Sequence, residues 1–266
     1  MSRKIVFLGG GNMAEGILRA MVSSGAFSPE DVTMQEILPA RCEYLEKTYG
    51  VKAAADAGAA AASADMVIVA VVPSLVGAVA EPLKDIIGRE TVIMSIAAGV
   101  TVEALEGFFG AEKKILRMMP NVLNQVGVGY SAVVVNQNIT DEDRAFAKAV
   151  ADTLGTTKFI QEEQFDIFTS FCSTGPLWVY KFVEAMIDAG VYVGFGRQEA
   201  RDMVLKNLTG VARLLEETGE HPVAKVDAMT SPAGITIEAL AALQKSGFAS
   251  DILDSIVAAT KKAKGE

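Results

Sequence analysis

The stretch "FLGGGNMAEG", residues 7–16, sets three glycines, Gly9, Gly10 and Gly11, directly behind an apolar run. A glycine run at such a place implies that something must approach the backbone closely. "KIVFLG" (4–9) reads as a strand and "MAEGILRAMVSSG" as a helix, so the glycines form a strand-to-helix turn. Gly9, Gly11 and Ala14 match the pattern G-x-G-x-x-G/A. In that pattern the first glycine makes the turn, the second admits a pyrophosphate, and the third small residue lets the helix pack on the strand. The helix N-terminus adds free N–H groups and a positive dipole end. "DVTMQE" (31–36) reads as the next strand and ends on Glu36, where a carboxylate can meet the adenosine ribose. A dinucleotide site is the expectation; a purely structural turn is the alternative.

Outward from this turn, strands and helices alternate. "RCEYLEKTYG" is a helix stopped by Gly50. "DMVIVAVV" (65–72) and "TVIMSIA" (91–97) are continuous apolar strands of the kind buried on both faces. The Ala-rich 53–65 reads as a loop or short helix. Strands joined through helices predict a Rossmann-like α/β domain with a parallel sheet over 1–160. Beyond it the period changes to three and four, as in Val179, Phe182, Val183, Met186 and Ile187, and in Met203, Val204, Leu208, Val211 and Leu215. Residues 161–266 therefore read as an all-helical domain. Its wide apolar faces predict self-association with a second copy.

Composition narrows the partners. Of 266 residues half are hydrophobic, and the formal net charge is −9, which argues against nucleic acid or an anionic membrane surface. The longest apolar runs are strand-sized, so no membrane span is expected. The two cysteines, Cys42 and Cys172, give neither a disulfide framework nor metal-ligand spacing. With no signal-peptide pattern at the start, a cytoplasmic location is the expectation, and no metal is expected. The single histidine, His221 in "GEHP", reads as a loop residue rather than a base. Cys172 reads as a small hydrophobe. The terminal "KKAKGE" reads as a frayed, solvated end.

Four further segments carry a family likeness. With the opening turn, "SIAAGV" (95–100), "RMMPN" (117–121), "STGPLWVYKFVEAM" (173–186) and "TSPAGITIEAL" (230–240) followed by "KSGF" fall in one order along the chain. In this the sequence resembles Δ1-pyrroline-5-carboxylate reductases, and the last segment is the most specific. The resemblance implies hydride transfer from a nicotinamide cofactor to the C=N bond of a cyclic imine carboxylate, giving L-proline. It implies cofactor contacts at Gly9, Gly11, Asn12, Met13, Ala14, Glu36, Val71, Pro73, Ala98, Gly99 and Asn121. It implies substrate contacts at Gly175, Pro176, Ser231, Gly234 and Thr236, with Ser231 and Thr236 as the catalytic hydroxyls. Threonine is a poor acid, so Thr236 would orient or relay a proton rather than supply one. Ser231 also fits a plain helix cap.

The chain departs from the family at Val72, Val122, Leu123, Leu177, Trp178 and Ala233, several of them beside the expected pocket. A related cyclic imine or small keto acid is the alternative substrate, and a non-catalytic nucleotide-binding descendant the alternative class. Trp178 reads as a core or interface residue, with stacking on the substrate as the alternative, since it lies beside the family's pocket. At the ribose, Glu36 would repel a 2′-phosphate and Ile37 offers no cation. Arg41, on the following helix, could meet that phosphate or pair with a carboxylate. NAD(H) is therefore the expected cofactor, with NADP(H) possible.

Overall fold

The structure is a computed structural model that describes residues 3–266; Met1 and Ser2, the first residues of the expected dinucleotide-binding domain, lie outside them. The chain divides into two compact units, one ending at Ser173 and the other spanning Thr174–Glu266. The first unit contains β1 (Ile5–Leu8), α1 (Asn12–Ser23), β2 (Val32–Gln35), α2 (Pro39–Tyr49), β3 (Lys52–Ala53), α3 (Ala57–Ala62) and β4 (Met66–Val69). It continues through α4 (Val76–Ala80), β5 (Val92–Ser95), α5 (Val102–Phe109), β6 (Lys114–Met119), β7 (Gly129–Val135), α6 (Asp141–Asp152), β8 (Gly155–Phe159) and α7 (Phe165–Phe168).

The eight strands form one sheet in the order β3-β2-β1-β4-β5-β6-β7-β8. The first six are parallel. Their order, 3-2-1-4-5-6, is that of the doubly wound dinucleotide fold. β1, β4 and β5 are buried along their whole length, as their unbroken apolar sequences require. One face packs Ile17, Leu18 and Met21 of α1 with Phe146, Ala147 and Val150 of α6. The other face packs Val76 and Ala80 of α4 with Leu105 and Phe109 of α5. The Ala-rich stretch forms α3, capped by Asp56, whose carboxylate accepts from Gly58 N at 2.7 Å. Gly50 stops α2 with a φ of 73°, as its position predicts.

The sheet departs from the expected parallel form at one pairing: β7 runs antiparallel to β6. A single 3₁₀ turn, Val122–Val126, joins them, and a turn that short can only reverse the chain. The crossover through α6 then brings β8 back parallel to β7.

The second unit contains α8 (Gly175–Tyr192), α9 (Arg197–Thr218), α10 (Pro222–Met229), α11 (Ile235–Lys245) and α12 (Phe248–Lys264). α8 and α9 approach closely: a Cβ on Gly190 would lie 2.7 Å from that of Ala200. Among the residues of these five helices only Pro176, Ala200 and Val204 are buried. Phe182, Met186, Phe195, Val211 and Leu214 stay exposed. So little burial cannot offset the conformational entropy of ordering such long helices. The terminal lysines differ from expectation: they continue α12 to Lys264, ending at Gly265 with a φ of 78°. Cations suit that end of a helix dipole.

Candidate functional site

The glycine turn lies at the switch point of the sheet, where β1 is flanked by β2 on one side and β4 on the other. Gly9 has a φ of 101°, and a Cβ there would sit 2.7 Å from the carbonyl oxygen of Ala70. That position accepts no side chain. Gly11, by contrast, faces open space. It precedes α1, whose first turn has no side-chain cap; the first intrahelical bond runs from Glu15 N to Gly11 O at 2.9 Å. The N–H groups of Asn12, Met13 and Ala14 therefore begin the helix without intrahelical acceptors. Ala14 is buried against the sheet. An open face over Gly11, an uncapped helix start and a small packing residue fit a pyrophosphate.

Two grooves flank the turn. One, of about 270 Å³, is lined by Gly9, Glu36, Ile37, Val71, Leu75 and their neighbours. The other, of about 340 Å³, is lined by Gly11, Asn12, Met13, Val71, Val72, Pro73, Ile96, Ala97, Ala98, Met119 and Pro120, with Ala70. None of the described residues lining this second groove carries an ionisable side chain. The second groove thus offers a flat ring an apolar bed and no acid or base. Gly99 follows Ala98 with a φ of 74°, turning the chain into α5. Asn121 is buried just past Pro120; its Oδ1 accepts from Leu123 N at 3.2 Å and its Nδ2 donates to Cys172 O at 3.5 Å. It shapes the turn behind the groove.

Charges around the turn are mutually engaged. Glu36 Oε2 accepts from Gly10 N at 2.8 Å, and its Oε1 accepts from Ile37 N and Leu38 N at 2.8 and 3.0 Å. Arg41 donates from Nε to Gly10 O at 2.7 Å and from Nη2 to Glu15 Oε2 at 2.6 Å. Arg41 thus pairs with a carboxylate, that of Glu15 on α1. Glu15 Oε1 further accepts from Tyr49 Oη at 2.7 Å and Tyr44 Oη at 2.9 Å. Burial pushes the Glu15 carboxyl up, but the bonds from Tyr49, Arg41 and Tyr44 outweigh it and hold the group below its ordinary value. Burial and the Glu15 charge push Tyr49 up to about 12. No sequence pattern announced this cluster, because Glu15 and Arg41 meet only once α1 and α2 lie side by side.

In the second unit, Ser231, Gly234 and Thr236 gather at the connection between α10 and α11. Gly234 N donates to Ser231 O at 3.0 Å, closing a turn with Pro232 second and Ala233, at a φ of 56°, third. Those are the places a type II turn gives to proline and to a left-handed residue. Gly234, not Ser231, is the N-cap of α11; a Cβ on Gly234 would collide with the Ser231 hydroxyl. Ser231 and Thr236 are both exposed. Gly175 and Pro176 open α8. His221 caps α10, its Nδ1 accepting from Val223 N at 3.3 Å. Trp178 donates from Nε1 to Ser255 Oγ at 2.7 Å. Cys172 is half-buried in a π-helical turn, Thr169–Ser173, and burial pushes its thiol up. No cluster among the described residues could hold a metal ion, and none of the helices is long and apolar enough to cross a membrane.

Strand order, glycine turn, uncapped helix start and a carboxylate just past β2 define a dinucleotide-binding fold of the doubly wound class. Residues 4–99 match the family described as "NADP oxidoreductase coenzyme F420-dependent", and residues 162–266 match "Pyrroline-5-carboxylate reductase dimerisation". The chain is 35% identical to a pyrroline-5-carboxylate reductase of Synechocystis over 99% of its own length and 98% of the relative's. It is 32% identical to the Escherichia coli enzyme of that name, again over 99% and 98%. A Coxiella burnetii pyrroline-5-carboxylate reductase structure superposes with a TM-score of 0.92 at 26% identity, covering 100% of this chain and 98% of that one. A Plasmodium falciparum pyrroline carboxylate reductase with NADP bound gives 0.89 at 26% identity, covering 99% and 97%. The chain belongs to the pyrroline-5-carboxylate reductase family.

Proposed function

We propose that the chain reduces Δ1-pyrroline-5-carboxylate to L-proline with a nicotinamide dinucleotide, and that it prefers NADH to NADPH. The apolar groove at the switch point, opened by the uncapped start of α1, carries the reading. When bound, the dinucleotide supplies the hydride. Gly9, Gly11, Asn12, Met13 and Ala14 hold its pyrophosphate. Val71, Pro73, Ala98 and Gly99 bed the nicotinamide, with Asn121 behind them. Since that bed has no ionisable group, the first unit contributes position rather than proton transfer. The proton for the imine nitrogen then comes from water oriented by the Thr236 hydroxyl. Ser231 and the N–H groups beginning α11 at Gly234 hold the substrate carboxylate, and Gly175 and Pro176 shape its site. Self-association through the helical 161–266 and a cytoplasmic location complete the proposal; the exposed apolar faces of α8 and α9 support the former.

Preference for NADH rests on Glu36. A 2′-phosphate about 4 Å from it meets a repulsion of about 1 kcal/mol in water and more in a sheltered groove. Ile37 supplies no cation, so a preference of about tenfold or more in kcat/KM is expected. The test follows nicotinamide absorbance with both cofactors and identifies proline as product. No turnover of this imine would refute the activity. An NADPH preference, or a Glu36→Ser, Ile37→Arg variant with an unmoved ratio, would refute the role of Glu36.

A further inference from the structure

Both backbone polar groups of Gly10 are held by one segment of chain, its N–H by Glu36 and its C=O by Arg41. Arg41 lies in the first turn of α2, shortly after Glu36 and Ile37, where an added phosphate would most readily find a cation. Yet its guanidinium is turned onto α1. Glu15 Oε2 takes one Nη at 2.6 Å, and Tyr44 lies beneath, with Arg41 Cζ 5.1 Å from the ring centroid. Glu15 is itself fixed: both tyrosine hydroxyls converge on its other oxygen. Side-chain exposure is 23% for Arg41 and 17% for Glu15, so water screens the pair only in part.

We infer that Glu15 is a specificity-determining residue: by holding Arg41 on α1 it denies a cation to a 2′-phosphate. This rests on the cofactor reading above and adds a second determinant to it. Glu36 repels the phosphate, and Glu15 withholds what would attract it. Glu15 acts through Arg41 and is a positioning residue.

The test is calorimetric binding of 5′-AMP and 2′,5′-ADP to the full chain, as wild type, E15Q, R41A and E15Q/R41A. The wild type should bind 5′-AMP more tightly. E15Q should move the affinity ratio toward 2′,5′-ADP by about tenfold, the worth of one partly exposed charge-assisted hydrogen bond. R41A alone should leave the ratio within about twofold, and in E15Q/R41A the gain should vanish. A purely structural cluster would lower both affinities together and leave every ratio unchanged. That result overturns the inference, as does a gain that survives removal of Arg41. Should E15Q not fold, E15D withdraws the carboxylate by one methylene and is read in the same way. A wild type that prefers 2′,5′-ADP overturns the cofactor reading itself; a wild type that prefers 5′-AMP beside a flat E15Q overturns only the role of Glu15.

Discussion

Replacing Ala233 by glycine should stabilise the second unit. Ala233 is the one non-glycine residue with positive φ among the described residues, at 56°. The left-handed conformation costs a residue with a Cβ about 1–2 kcal/mol, from its approach to the following carbonyl oxygen. Glycine removes that cost but is freer in the unfolded chain, which takes back about 0.5–1 kcal/mol. Taking the middle of each range, about 1.5 less about 0.75, the net gain is about 0.75 kcal/mol. With a urea slope of about 2–3 kcal/mol/M, the midpoint should rise by about 0.2–0.5 M. Trp178 is the only tryptophan and lies in the same unit as Ala233, so its fluorescence reports the relevant transition. Both proteins must be compared at one protein concentration, because self-association feeds into the midpoint. A midpoint that stays or falls at unchanged slope would refute the reasoning: the turn would then hold Ala233 without strain.

Thr236→Ala should lower turnover by on the order of 2–4 kcal/mol in the barrier, by analogy with a lost oxyanion donor, while nucleotide binding followed by fluorescence changes little. Gly9→Ala should cost about 1–2 kcal/mol of stability from φ alone and weaken 5′-AMP binding at least tenfold, as melting and calorimetry will report. Leu177→Ala should shift the preference among cyclic imines of different ring size, whereas parallel loss on all of them would make Leu177 a packing residue. Acid should remove stability held by Asp143. Burial pushes its carboxyl up, but Thr140 and Lys114 outweigh that and hold it below the ordinary value. Its contribution is therefore present above the unfolded pKa and lost as pH falls through the folded one, so an Asp143→Asn variant should show a flatter acid limb in melting temperature.

Burial on both faces made the central strands legible. β1, β4 and β5 can only be apolar throughout, and so they stand out of the sequence. The glycine turn was legible for a related reason, since Gly9 has no substitute. β7 and β8 were harder: "GTTKF" mixes exposed and half-buried positions, and the reversal at Val122–Val126 is a property of a turn rather than of a period. In the site, spacing along the chain could bring Glu36 to the end of β2. It could not say that Arg41 turns to Glu15, which depends on how two helices lie together. Nor could it separate a serine that caps a helix from one that closes the turn before it, as Ser231 does.

The grip on Gly10 also makes the turn's shape measurable. Its N–H and C=O are both held by side chains of residues 36–41, so these two bonds last only while that segment is docked. The amide proton of Gly10 is a timer for that docking. It can exchange with solvent when the Glu36 carboxylate lets go, whereas the amides of β1, deep in the sheet, must wait for a much larger opening. A nucleotide that binds only the docked turn slows this one proton by the factor 1 + [L]/Kd, so its exchange rate measures affinity without any turnover. In the absence of nucleotide, the same rate gives the free energy with which the protein keeps the turn docked.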